Sequence, residues 1–276
     1  MIRLALRVRR EDAEVALAEL LELAPAGVEE VDVSPEVVEF AVYGAPGELP
    51  DLPDLEAAAG GALVEVRTSE VGDDWAERWR AFHKPVLIDH RLLVRAPWHA
   101  GAEGALPEVV IDPGQAFGTG AHATTRTCLE LLVTLPPGGE LVDVGCGSGV
   151  LAIAAARLGW GPVRGLDHEA ASVEATRDNA RANGVEVEAR RWDLRTDPVP
   201  GAPVMLANLV RPLLLTLAER MTSPPGVLIA SGLLAHEADE VAAAFARRHG
   251  LHERDRREAE GWAALLLEGR SAAGRR

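Results

Sequence analysis

The sequence predicts an α/β protein: a parallel sheet with helices on both faces, closed by a terminal antiparallel hairpin and preceded by a small ferredoxin-like α+β domain. Three observations carry this. From Val109 onward apolar strands alternate with amphipathic helices, the rhythm of a parallel sheet covered on both faces. A glycine-rich stretch, "VDVGCGSGV" over residues 142–150, closes the first long strand of that series and opens a helix. Ahead of both, the first 68 residues follow a β-α-β-β-α-β order.

The elements follow in turn. Ile2, Leu4, Leu6 and Val8 alternate with other residues, which predicts a half-buried strand. Residues 11–24 place Leu17, Leu20, Leu21 and Ala24 at helical spacing, with Pro25 and Gly27 as the stop. "GVEEVDVSPEVVEFAVYG" reads as two strands joined near Ser34 and Pro35. A weak helix over 52–59 and a strand "ALVEVR" complete the unit, with a Pro- and Gly-rich loop over 44–53 inside it. A Trp-containing linker follows over 69–100, where Trp75 and Trp79 share one side of a short helix and read as packing residues. From residue 101 to 276 come "ELVDVG", a helix from Val150, "VRGLD", a helix from Glu169, "VEVEARRWD", "VMLAN", a further helix, "GVLIAS" and a helix over 236–249. "GLHERDR" and "GWAALLLE" are close enough to form the hairpin.

Composition narrows the function. With 47% hydrophobic and 26% charged residues, the 276-residue chain is globular and long enough for a catalytic domain with a smaller companion. Its net charge is −15, and the first 68 residues hold 5 basic and 15 acidic side chains, a balance of −10. An acidic surface repels phosphate and attracts basic protein, so no direct nucleic-acid binding is expected. The start interleaves Arg with apolar residues and offers no signal-peptide core, and "VMLANLVRPLLLTLA" is too short and too interrupted to cross a membrane. A cytoplasmic monomer without membrane contact is the expectation. Two cysteines, Cys128 and Cys146, make neither a disulfide framework nor a metal-ligand pattern, so no metal is expected.

A parallel sheet binds ligands at the carboxyl ends of its strands, and Gly145, Gly147 and Gly149 stand at such an end, where missing Cβ atoms let a ligand approach the backbone. Asp167 ends the next strand 22 positions after Gly145, where a carboxylate can accept both ribose hydroxyls. A dinucleotide fingerprint would need glycine at Val150, and a triphosphate loop would need a lysine, whereas the chain's one lysine is Lys84. A ribosylated cofactor without pyrophosphate fits better, and S-adenosylmethionine is such a cofactor. Asp143, just ahead of the glycines, could face its positively charged methionine end. A second glycine-rich stretch, "DPGQAFGTGAHATTRT" over 112–127, lies upstream. In it His122 reads as a loop-ordering residue rather than a base, and Thr125 either contacts ligand or starts the next helix. Cys146 reads as packing.

"DVGCGSGVLAIAAARLG" and "GLDHEAASVEATRDNARANGV" resemble the first motifs of class I methyltransferases. More specifically, "DPGQAFGTGAHATTRTCLELL" together with "ANLVRPLLLTLA" resembles the bacterial PrmA family, the methyltransferases of large-subunit ribosomal protein L11. The likeness spans nearly the whole chain. It implies S-adenosylmethionine as cofactor and S-adenosylhomocysteine as product, and transfer to lysine or N-terminal α-amines of the basic protein L11. It also implies that the first glycine segment folds over the cofactor and the second forms its floor, while the −10 balance and compact α+β pattern of residues 1–68 predict that they recognise the protein substrate. Thr125, Gly145, Asp167 and Asn208 are the implied cofactor contacts, joined by Asp143 and Gly147 from the loop itself. Asn208 is the catalytic candidate: at the end of the fourth strand its side-chain carbonyl can accept an amine hydrogen and aim the lone pair, so positioning without a general base is expected. A nucleic-acid or small-molecule N-methyltransferase on the same fold is the second reading, because "NLVRPL" loosely resembles the Asn-Pro-Pro-Tyr type of motif. A nicotinamide-dependent oxidoreductase is the third.

Overall fold

A computed structural model describes residues 2–13, 16–17, 20, 28–34, 36–44, 63–70, 83–101, 104, 106–112 and 120–269. The chain divides into two compact units, Met1–Phe82 and His83–Arg276. In the first, β1 (Ile2–Arg9), β2 (Glu29–Ser34), β3 (Val37–Gly44) and β4 (Leu63–Glu70) form an antiparallel sheet in the order β2-β3-β1-β4. That is the ferredoxin-like order, and the period-two pattern explains it. Leu4, Leu6 and Val8 of β1 pack with Val38, Phe40 and Val42 of β3 and with Ala13, Ala16 and Leu20 of the helical stretch after β1. The polar positions between them face the other way, where Arg3 and Arg7 both hold Glu39, at 2.7 and 2.8 Å. The expected helix over 52–59 lies outside the described residues, as do Trp75 and Trp79.

The second unit begins inside the stretch read from sequence as linker. Val86–Ile88 (β5) and Leu92–Arg95 (β6) are strands, and Glu108–Val110 (β7) joins them in a three-stranded sheet of order β5-β6-β7. Ile88, Leu92, Val94 and Val109 are buried in the core of this unit, which is why the division falls at Phe82/His83. Val109 therefore starts no strand of the large sheet. Likewise β4 runs through Thr68 to Glu70.

The large sheet is built from β8 (Leu141–Val144), β9 (Val163–Asp167), β10 (Glu188–Arg191), β11 (Val204–Asn208), β12 (Val227–Leu234), β13 (Leu251–Ala259) and β14 (Trp262–Gly269). Its order is β10-β9-β8-β11-β12-β14-β13, parallel up to β12 and antiparallel through the terminal hairpin. Glu260 and Gly261 turn that hairpin, both at positive φ, as a tight two-residue connection requires. The helices are α1 (Ala123–Leu132), α2 (Val150–Leu158), α3 (Ala170–Ala182), α4 (Arg211–Arg220) and α5 (Ala238–His249).

Both faces of the middle of the sheet are buried, so β8, β11 and β12 are apolar at successive positions rather than alternating, whereas the edge strands β10 and β13 are largely polar. Leu141, Leu206 and Ile229 enter one core with Leu129 of α1 and Ile153 of α2; Val142, Met205, Ala207 and Leu228 enter the other with Leu217 of α4 and Phe245 of α5. β8 lies between β9 and β11, so the chain winds outward from it in both directions. The crevice at such a switch point opens at the carboxyl ends of β8 and β11, where Gly145 and Asn208 stand.

Candidate active site

At the end of β8 the backbone turns through three glycines at positive φ: Gly145 (77°), Gly147 (52°) and Gly149 (85°). The turn is packed tightly. A Cβ on Gly145 would lie 2.5 Å from Leu209 Cδ2, and one on Gly149 would lie 2.9 Å from Thr176 Cγ2. The amides of Gly145 and Cys146 donate to the carbonyl of Leu166 at 2.8 and 3.0 Å, tying the turn to the end of β9. Gly147 N donates to Asp167 Oδ2 at 3.0 Å, while Asp167 Oδ1 accepts from Glu169 N at 3.0 Å. The glycine loop and the acidic strand end thus form one hydrogen-bonded unit with the carboxylate held in place by two amides.

Beside it lies a cleft open to solvent, lined by Val144, Gly145, Leu166, Asp167, Trp192, Asp193 and Leu209 among others. Apolar walls with a few fixed polar groups suit a small organic ligand. Gly145 and Asp167, both expected from sequence, line it. Trp192 and Asp193, from the segment after β10, were missed. Their signal was present in "RRWD", since an acid just past a parallel strand sits at the same end of the sheet as Asp167.

Asp143 has a different place. It is wholly buried below the turn, its Oδ2 accepts from Ala152 N in the first turn of α2 at 3.2 Å, and its Oδ1 has no hydrogen-bond partner. Burial drives its pKa up to about 7 against the Ala152 bond, with the Asp167 charge adding to the rise. It serves one of the otherwise unsatisfied amides of the helix start. Cys146 is buried within 3.3 Å of Thr176 Oγ1, and burial pushes its thiol far above the ordinary range, so it packs rather than reacts.

The other predicted residues meet at the end of β11. Asn208 Nδ2 donates to Thr124 Oγ1 at 3.3 Å and to Thr125 Oγ1 at 3.4 Å. Both threonines sit in the first turn of α1, so Thr125 is inside the helix and the N-cap is His122, whose Nδ1 accepts from Thr124 N. Leu209 links the two halves: it follows Asn208, donates its amide to Ser231 O at 2.9 Å and packs on Gly145. Gly232 is close beneath it, at φ 83°, where a Cβ would lie 2.5 Å from Leu209 O.

The two glycine-rich stretches share one side chain that sequence reading did not single out. Asn179 of α3 accepts from Asp112 N at 3.1 Å and donates to Ser148 O at 2.9 Å, so the entry to the first stretch is pinned to the second. Residues 113–119, the middle of the first stretch, lie outside the described residues. Among those described, no group of His, Cys, Asp and Glu is arranged to hold a metal, and no helix is long and apolar enough to cross a membrane.

A glycine turn and a fixed acid line one switch-point cleft, with a polar strand end on the adjacent strand, and comparison with known proteins gives the chain a family. Residues 53–270 match the family model described as ribosomal protein L11 methyltransferase (PrmA). The chain is 39% identical over 228 residues to the ribosomal protein L11 methyltransferase of Pseudomonas aeruginosa, covering 80% of this chain and 76% of that one. With the protein of the same name from Burkholderia vietnamiensis it shares 33% identity over 294 residues, 95% of this chain and 96% of the relative. The crystal structure of a ribosomal protein L11 methylase from Lactobacillus delbrueckii subsp. bulgaricus superposes with a TM-score of 0.61 at 26% identity, over 67% of this chain and 98% of that one. A match over most of the length, together with the class I sheet order that carries the cleft, means that the chain belongs to the ribosomal protein L11 methyltransferase family.

Proposed function

We propose that the chain is an S-adenosylmethionine-dependent protein N-methyltransferase acting on lysine and N-terminal α-amines of ribosomal protein L11. The observation that carries this reading is the meeting of Asn208 with Thr124 and Thr125 at the end of β11, next to the strand that carries the glycine turn. The residues present fit the cofactor. Gly145 and Asp167 line the cleft, Asp167 would present a fixed carboxylate to ribose hydroxyls, and Asp143 holds a buried oxygen still lacking a partner beneath the turn. Thr125 and Gly147 complete the proposed contacts. Asp193 and Trp192, which line the same cleft, would help to hold the cofactor.

Bound there, S-adenosylmethionine would supply a methyl group on a sulfonium whose departure as a neutral thioether needs no acid. The chain's own task is to align a deprotonated amine with it. Deprotonation costs little for an α-amine of pKa ~8 and about 4 to 5 kcal/mol for lysine near pH 7. Asn208 accepts one amine hydrogen through its side-chain carbonyl and aims the lone pair. Leu209 and Val210 follow it, so no aromatic platform for stacking a flipped base stands next to the amide. The −10 balance of the first 68 residues supports recognition of a basic protein by the first unit. Titration calorimetry tests the cofactor directly: binding of S-adenosylmethionine without binding of NAD supports the reading, and the reverse contradicts it.

A further inference from the structure

The Asn208 amide has two faces, and only one of them serves an amine. With the carbonyl oxygen toward the substrate the amide accepts an N–H; turned over, it presents N–H groups to a nucleophile that has none of its own electrons to spare for them. Something must set the orientation. The structure supplies a chain of hydrogen bonds that does so. His122 Nδ1 accepts the backbone N–H of Thr124 at 3.3 Å, as the N-cap of α1, and therefore carries no proton. The Thr124 hydroxyl lies 2.8 Å from the same nitrogen, so the hydroxyl donates to it. With its hydrogen committed, Thr124 Oγ1 can only accept, and the Asn208 atom 3.3 Å away has to be the amide nitrogen.

We infer that His122, acting through the Thr124 hydroxyl, is a positioning residue that fixes the Asn208 amide with its carbonyl oxygen toward the incoming amine. This rests on the reading above in which Asn208 receives the amine. His122 is held for the role by its surroundings. Its ring packs edge-on against Trp262 of β14, with centroids 5.3 Å apart. Among the described residues Arg126, from its own helix, and Glu260, from the β13–β14 turn, act on its charge, and these two pair with each other at 2.7 Å. Burial, larger than either charge, lowers the pKa of His122 below the ordinary histidine value, so the ring stays neutral. Protonation in acid would replace the acceptor by a donor. The Thr124 hydroxyl would then be free to donate to Asn208, and the amide could turn over.

Steady-state methylation of L11 tests the relay. His122→Ala should lower kcat at least about tenfold, the scale of a misaligned reacting group, with affinity for S-adenosylmethionine within about twofold of the parent. Because His122 also caps α1, Thr124→Val is the companion variant: it keeps the cap nitrogen and the side-chain volume, and should lose kcat to a similar extent at an unchanged melting temperature. His122→Asn, a good helix cap whose carbonyl accepts without titrating, should restore most of the rate. It should also lack the parent's extra loss of kcat at acid pH, while keeping the limb that belongs to the amine. In an Asn208→Ala background, His122→Ala should have no further effect. Parental kcat in Thr124→Val, failure of His122→Asn to rescue, or an equal His122→Ala loss in the Asn208→Ala background each overturns the relay. Parental kcat in Asn208→Ala itself overturns the amine-receiving role of Asn208 instead, so the two failures are told apart.

Discussion

Three side chains in and beneath the proposed site answer to separate measurements. Asp167 is held by two backbone amides and lines the cleft, so Asp167→Ala should weaken S-adenosylmethionine binding by about 1.5 to 3 kcal/mol in calorimetry, the value of hydrogen bonds to a charged group. Unchanged affinity would remove it from the site. Asn208→Ala should reduce turnover far more than cofactor affinity, because its proposed partner is the amine; turnover within about twofold of the parent would end that role. Asp143 makes a prediction in pH. Its folded-state pKa of about 7 lies above the ordinary aspartate value of 3.8, so its contribution to stability is fully present below about pH 4 and is lost as pH rises through 7. Asp143→Asn should flatten that part of the stability profile in cofactor-free protein, and an unaltered slope would contradict the buried, partnerless carboxyl. The identity of these residues was legible because each is an isolated polar group at the end of an apolar strand. The partners were not: nothing in the sequence tells that Asp143 turns under α2, or that His122 rather than Thr125 caps α1.

At the scale of elements, the βα rhythm from β8 onward was readable because the middle of the sheet is buried on both faces, and β8, β11 and β12 are short apolar runs set off by glycines and polar turns. The two-residue hairpin was readable because Glu260 and Gly261 separate a charged segment from the apolar run of β14. The three-stranded sheet of β5, β6 and β7 was not. Its strands have three or four residues, too few for a period to declare itself, and β7 joins β6 in parallel across a chain separation that local pattern does not encode. The loop after β11 owes its form to close approach: Gly232 at φ 83° lies under the Leu209 carbonyl. Gly232→Ala adds a Cβ where backbone already sits, in a conformation that L residues avoid, and should cost more than about 1 kcal/mol of stability while lowering turnover. Chemical denaturation and steady-state kinetics measure the two effects; a parental midpoint with parental turnover would show that the loop yields freely.

The whole molecule is two units, and we propose a division of labour between them. Every proposed cofactor contact lies after Phe82, and the first unit has its own core built on Phe40, Leu6 and Leu20. Removing residues 1–82, a cut that follows the structural division and spares β4 from being split, should leave cofactor affinity nearly intact and abolish methylation of L11. Added salt should weaken L11 binding by the intact protein if acidic side chains attract a basic partner. Full methylation by the shortened chain would contradict this division. The central claim, transfer of methyl groups to L11 amines at the Asn208 site, is tested most directly by incubating the protein and its Asn208→Ala variant with isotopically labelled S-adenosylmethionine and unmodified L11, then mapping the label by peptide mass spectrometry. The account predicts label on the α-amine or lysine ε-amines of L11 with the parent, and little with Asn208→Ala. Label absent from L11 amines, or equal labelling by the two proteins, would contradict it.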